Sequence, residues 1–138
     1  MELKNKIEEI EQDFRKRNVT PKGIFQAIKN SINGFVSYAK EGKSIIIYLF
    51  CFIFEIIMGF VYKINGLEWI LIICILGVIL AVELINTAIE ATCDAITKEY
   101  NPFIKIAKDC GCAATFTIFI VAVILNIIIF FPKVVSLF

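Results

Sequence analysis

The sequence predicts an all-α integral membrane protein in which an N-terminal amphipathic surface helix precedes three transmembrane helices. Three observations lead there. Hydrophobic residues make up 59% of the chain and mean hydropathy is +0.81, against roughly 45–50% apolar in soluble domains. A bundle of 138 residues has no interior large enough to hide that excess. The apolar residues also gather into three runs, each with the roughly 17–25 residues needed to cross hydrocarbon. Lysine and arginine, finally, collect in alternate connections, the asymmetry that sets membrane orientation.

Residues 1–20 read as a charged extension. Glu2 to Asn18 is dense in charge and carries Ile7, Ile10 and Phe14 at helical spacing. It lacks the apolar centre of a signal peptide, so the N-terminus is expected to be retained. Thr20-Pro21 marks a helix start, with Thr20 as cap and Pro21 in the first turn. A membrane domain is expected over 21–133. Its first element, 21–41, repeats Ile24, Phe25, Ile28, Ile32, Phe35 and Val36, with Lys22, Lys29 and Lys40 at polar positions. That pattern suits a helix lying in the membrane interface.

The three spans are read as 44–62, 67–96 and 113–131. Only Glu55 interrupts the first, and Lys63-Ile-Asn-Gly66 turns it into the second. The second continues beyond the bilayer from about Ala88 to Ile96, and Thr97 to Cys112 is read as a polar connection. Pro132 and Lys133 close the third. Arg15, Lys16, Arg17, Lys22, Lys29, Lys40 and Lys43 precede the first span, and Lys98, Lys105 and Lys108 lie in the second connection. The first connection holds only Lys63, and the tail only Lys133. The N-terminus and the 97–112 connection are therefore expected in the cytoplasm.

Composition also excludes several functions. A formal net charge of +1 offers no concentrated basic face for nucleic acid. Five cysteines (51, 74, 93, 110 and 112) show no zinc spacing and read as small apolar packers. With no histidine present, side-chain proton transfer falls to a carboxylate, Lys, Tyr or Cys.

The second span carries the chemistry. At about 100° per residue, Glu83, Glu90 and Asp94 fall within roughly 40° of one another, with Asn86 about 60° aside. Ionisable groups near the bilayer centre cost on the order of 3 kcal/mol each, so a strip of them marks a functional site. Glu83 sits at the edge of the apolar layer, where desolvation disfavours its charged form and strengthens it as a base for a lipid hydroxyl. Glu90 lies about 10 Å further along, in a wetter zone that suits a hard cation such as Mg²⁺. Asp94 could join it, and Asn86 could bind substrate or hold Glu83. Lys108 offers positive charge for phosphates. Glu99 and Asp109 could accept hydroxyl or amine protons from a nucleotide.

The run Glu83-Leu-Ile-Asn-Thr-Ala-Ile-Glu-Ala-Thr-Cys-Asp94 resembles the signature of the small bacterial membrane lipid kinases, the diacylglycerol and undecaprenol kinase family. The likeness continues through Glu99-Tyr100, Ala107-Lys-Asp109 and Gly111-Cys-Ala-Ala114, covering about 24 to 131. It implies a three-helix subunit in a bacterial cytoplasmic membrane, assembled as a homotrimer with shared active sites. It further implies ATP as cosubstrate, Mg²⁺, and a lipid alcohol, diacylglycerol or undecaprenol, as acceptor. By position, Glu83 matches the catalytic base and Glu90 a metal and ATP ligand. Asn86 and Asp94 match active-site polar residues, while Glu99, Tyr100, Asn101, Lys108 and Asp109 match nucleotide-contacting positions. Cys112 matches a small residue near the lipid.

The second metal-binding Glu of the family stands about eight residues after a glycine. Here Gly34 is followed by Glu41 at seven and Gly42 at eight. Glu41 is the expected second metal residue if one position is deleted. Asn101 stands where the family often has His, and Lys43 where it has Arg. Two other functions fit parts of the pattern: a small proton- or cation-conducting subunit using Glu55, Glu83 and Glu90, and a catalytically inactive membrane partner.

Overall fold

A computed structural model describes residues 6–7, 21–41 and 43–136. Ile10, Phe14, the Thr20 cap and Gly42 lie outside the described residues, as does the side chain of Glu41. The chain divides into two compact units, 1–40 and 41–138.

In the first unit, α1 (Pro21–Glu41) begins on the proline, whose fixed φ suits the first helical turn. Gln26 Nε2 donates to Asn30 Oδ1 at 2.9 Å, one turn on. Ile24, Phe25, Ile28, Ile32, Phe35 and Val36 are all exposed. A helix that sinks one apolar stripe into a lipid interface has this character.

The second unit is three helices: α2 (Lys43–Val61), α3 (Gly66–Ile96) and α4 (Pro102–Val135). Both α3 and α4 are long and apolar enough to cross a membrane. With 19 residues, α2 reaches about 28 Å. No strand occurs among the described residues.

The turn between α2 and α3 is closely built. Lys63 adopts a left-handed φ of 49°, and Ile64 N–H donates back to the Gly59 carbonyl at 3.1 Å. Asn65 then caps α3: its side chain accepts from Leu67 N and Glu68 N, both at 3.0 Å. Glu68 Oε2 reciprocally accepts from Asn65 N at 2.7 Å. This reciprocal box satisfies donors that a helix start leaves open. Gly59 is required here, because a Cβ would stand 2.5 Å from the Trp69 ring.

The core lies at this end. Ile64, Ile72, Leu76, Ile129 and Phe130 form one buried cluster, with Met58, Tyr62, Trp69 and Leu125 packed around it. Lys133 Nζ meets Glu68 Oε2 at 3.0 Å, tying the end of α4 to the start of α3. Lipid is as apolar as these side chains, so packing and such polar links hold the helices together.

At the opposite end the structure departs from the sequence reading. The polar connection expected over 97–112 is confined to 97–101, and Lys105, Lys108 and Asp109 stand on a helix. Asn101-Pro102 is the reason: Asn101 Oδ1 accepts from Phe103 N at 2.9 Å and Ile104 N at 3.4 Å, and Pro102 fills the first helical position. Lys105 and Asp109 then pair one turn apart. The other end of α4 also runs on, through Pro132 to Val135. There Ser136 N–H donates to the Pro132 carbonyl at 3.1 Å.

Candidate active site

α3 presents the acidic strip as its periodicity requires. Glu83, Asn86 and Glu90 are half-buried, and Asp94 is exposed. Asn86 Nδ2 donates to Glu90 Oε1 at 3.3 Å, so the amide orients the carboxylate one turn beyond it. Asn86 Oδ1 is buried and has no hydrogen-bond partner. Orphaned buried polar atoms are uncommon in folded proteins and cluster where something else is meant to bind. Glu83 and Glu90 stand about two turns apart on α3.

α4 supplies the opposite wall. Lys108 Nζ donates to Asp94 Oδ1 at 2.5 Å, an ion pair between the two helices. Gly111 is buried directly against Asn86, and a Cβ there would overlap Asn86 Oδ1. The glycine therefore lets the Asn86–Glu90 pair sit between the helices. Sequence reading noted Gly111 only as one of several small residues, since the neighbour that demands it is 25 positions away.

Not every expected residue joins this group. Tyr100 is 82% exposed, and Glu99 is exposed, its backbone N–H bonded to Thr97 Oγ1 at 3.0 Å. Asn101 spends its side-chain oxygen on the cap of α4. Asp109 pairs with Lys105, and Cys112 is exposed one residue past Gly111.

Glu83 faces a different environment. It lines a groove of about 620 Å³ walled by α2, α3 and α4. Apart from Glu83 the walls are mainly apolar, including Ile47, Cys51, Ile79, Phe119 and Ile127. Tyr48, Thr115, Asn126 and Glu55 add the other polar groups, and the first three were not singled out from sequence. A lone Thr or Asn within an apolar run has no local signal that it faces a cavity. Glu83 is thus the point where an apolar groove meets a charged cluster.

For Mg²⁺ the donor set is small. Among the described residues no three of His, Cys, Asp and Glu come together as a metal-binding group. Mg²⁺ usually keeps several waters and binds through one or two carboxylates plus substrate phosphates. Glu90, held by Asn86, fits that mode.

Residues 29–130 match the family described as prokaryotic diacylglycerol kinase. The chain belongs to the prokaryotic diacylglycerol kinase family. It is 37% identical over 78 residues to a protein named undecaprenol kinase from Bacillus subtilis, a stretch covering 56% of this chain and 63% of that one. Against diacylglycerol kinase from Pseudomonas aeruginosa it is 34% identical over 95 residues, 69% of this chain and 77% of the relative. Against diacylglycerol kinase from Escherichia coli K12 it is 39% identical over 61 residues, covering 44% and 50%. The chain thus spans between half and about three quarters of these relatives. The family match, over residues 29–130, takes in Glu41 and every candidate residue from Glu83 to Cys112.

Proposed function

We propose that this protein is an ATP-dependent lipid kinase that transfers the γ-phosphoryl group to a membrane lipid alcohol. The observation that carries this reading is the position of Glu83: it lines the apolar groove, and Glu90 and the Asp94–Lys108 pair stand on the far side of it. A lipid hydroxyl can reach Glu83 from the groove while nucleotide phosphates meet Lys108 and Glu90.

In this mechanism Glu83 accepts the proton of the lipid hydroxyl as its oxygen attacks the γ-phosphorus. Asn86 holds the Glu90 carboxylate in place through its amide nitrogen. Lys108 swings from Asp94 to the phosphates, and Asp94 keeps it within reach when the site is empty. Mg²⁺ held by Glu90 and Glu41 would neutralise charge on the phosphates. Glu99, Tyr100, Asn101 and Asp109 contact the nucleotide, and Cys112 lies near the lipid. Such a site works mainly by positioning and electrostatics, as phosphoryl transfer generally demands.

The same reading makes α2 a third span, places the 97–101 loop and the N-terminus in the cytoplasm of a bacterial cell, and assembles three chains with shared sites. Charge asymmetry supports the orientation. The relatives' names divide the acceptor between undecaprenol and diacylglycerol. A conducting pore has less support, because Glu55 and Glu83 stand about 16 Å apart along the groove with apolar side chains between.

The test is reconstitution of the purified protein with labelled ATP, Mg²⁺ and each alcohol in parallel. Labelled phospholipid or polyprenyl phosphate is expected. Absence of transfer to either alcohol, with folded protein in the vesicles, would overturn the reading.

A further inference from the structure

One polar side chain stands beside Glu83 and has no part in the transfer itself: Thr115 on α4, which lines the same groove. Its place follows from contacts between α3 and α4. Lys133 meets Glu68 at one end of the pair and Lys108 meets Asp94 at the other, so the two helices run antiparallel. Gly111 lies against Asn86 between those contacts. Thr115 is one turn past Gly111, about 6 Å along α4, and Glu83 is about 4.5 Å back from Asn86 along α3. On antiparallel helices both steps lead the same way, toward the apolar cluster, and they end at one level. Spacings of four and three residues also keep each side chain on the face of the contact it started from. Thr115 and Glu83 therefore flank one point of the groove.

The other polar groups of the groove are further off. Tyr48 Oη donates to the Leu76 carbonyl at 3.3 Å, which sets it about 10 Å of helix away from Glu83. Glu55 is two turns past Tyr48, toward the turn between α2 and α3, and Asn126 is about 16 Å beyond Thr115 along α4. Among the polar residues described in the lining, Thr115 is the one that a headgroup held at Glu83 meets.

The hydrogen bonds of Thr115 decide what it offers. Its Oγ1 lies 3.2 Å from the Gly111 carbonyl and 3.0 Å from the Cys112 carbonyl and donates its one proton to them. A hydroxyl has one donor and two lone pairs, so what is left for a ligand is a hydrogen-bond acceptor. Thr92 and Thr117 donate to their own helices in the same manner, but both are exposed and neither lines the groove. Thr115 is half-buried. Glu83 and Thr115 thus turn two proton-accepting groups toward one point, and a lipid with a single hydroxyl has one proton to give, which goes to Glu83.

We propose that Thr115 is a specificity-determining residue: its Oγ1 accepts a hydrogen bond from a second donor of the lipid, a hydroxyl on the carbon next to the one phosphorylated. This rests on the lipid-kinase reading. A lipid with two neighbouring hydroxyls satisfies both Glu83 and Thr115. A lone hydroxyl leaves Thr115 Oγ1 unpaired among apolar walls, and a site built to accept a proton disfavours the analogue that lacks it.

The test compares two lipids in vesicles with labelled ATP and Mg²⁺: a monoalkyl glycerol ether, and the same ether with its middle hydroxyl replaced by hydrogen. For the wild type, kcat/KM is expected to be about threefold to tenfold higher for the glycerol ether, the worth of one hydrogen bond. Thr115→Val keeps the branched shape and loses the oxygen, so its ratio should fall to about one, with KM for ATP unchanged. Thr115→Ser keeps the hydroxyl and should keep the ratio. A third lipid, methylated on the middle oxygen, retains that oxygen without its proton and should be no better than the deoxy ether. Loss of folded protein scales all rates together and leaves the ratio, so the ratio reads the hydrogen bond alone. Equal ratios in wild type and Thr115→Val, or a wild type that phosphorylates undecaprenol or diacylglycerol but neither ether, would overturn the assignment and leave the kinase reading standing. A wild type that phosphorylates no lipid alcohol would overturn both.

Discussion

Near the turn, Asn65, Glu68 and Lys133 satisfy one another; at the opposite end of the same two helices, Asn86, Glu90, Asp94 and Lys108 do so only in part. Both ends use an asparagine, a glutamate and a lysine, and both place a glycine under a large neighbour. At the turn the asparagine closes a capping box and the glycine admits Trp69 beside a buried apolar cluster. At the site the glycine admits Asn86, whose carbonyl oxygen then finds no partner. Similar residues thus build an anchor at one end and an unfinished arrangement at the other. On the lipid-kinase reading, the substrates complete it.

That contrast sets what each end should do when disturbed. The largest effect belongs to Glu83→Gln, expected to cost about 10²–10⁴ in kcat as the proton acceptor is lost, with helicity and melting temperature unchanged. A variant that retained wild-type rates in the labelled-ATP assay would remove Glu83 from the chemistry. Next, Lys108→Met should raise KM for ATP by about tenfold to a hundredfold, the worth of a hydrogen bond to a charged group. Lipid KM should hold steady, and a change confined to lipid KM would place Lys108 elsewhere.

Gly111→Ala comes third. Its methyl displaces the Asn86 amide from Glu90, and kcat should fall by about tenfold, as expected for one misplaced orienting hydrogen bond. The measurement that checks it is kcat alongside a thermal melt; equal losses in both would make the glycine a packing residue only. The turn end should respond in the opposite sense. Gly59→Ala forces Trp69 aside and should destabilise by about 1–3 kcal/mol, as overpacking does. Asn65→Ala removes the cap for about 1 kcal/mol. Both should leave kcat per folded molecule unchanged, so a rate loss there would mean the two ends are coupled.

The helices and the acidic strip were legible because both depend on local periodicity. α3 runs over Gly66–Ile96 against an expected 67–96, and α2 over Lys43–Val61 against 44–62. The start of α4 was missed at Asn101-Pro102, where hydropathy pointed to a loop while the cap chemistry specified a helix. Asn101, which by likeness matches a nucleotide-contacting position, is also the cap of α4. Gly111 beneath Asn86 was out of reach for another reason: it depends on a partner on a different helix. Glu55 stood out in the sequence, but what it faces is decided only by packing.

Among the described residues the backbones of α2 and α4 make no close approach, and on the lipid-kinase reading that gap is a side door from the bilayer into the groove. An acceptor then arrives by diffusing in two dimensions, and the concentration that governs its capture is its mole fraction among the surrounding lipids. Adding inert phospholipid to vesicles of fixed protein and acceptor content should slow turnover, though nothing in the aqueous phase has changed.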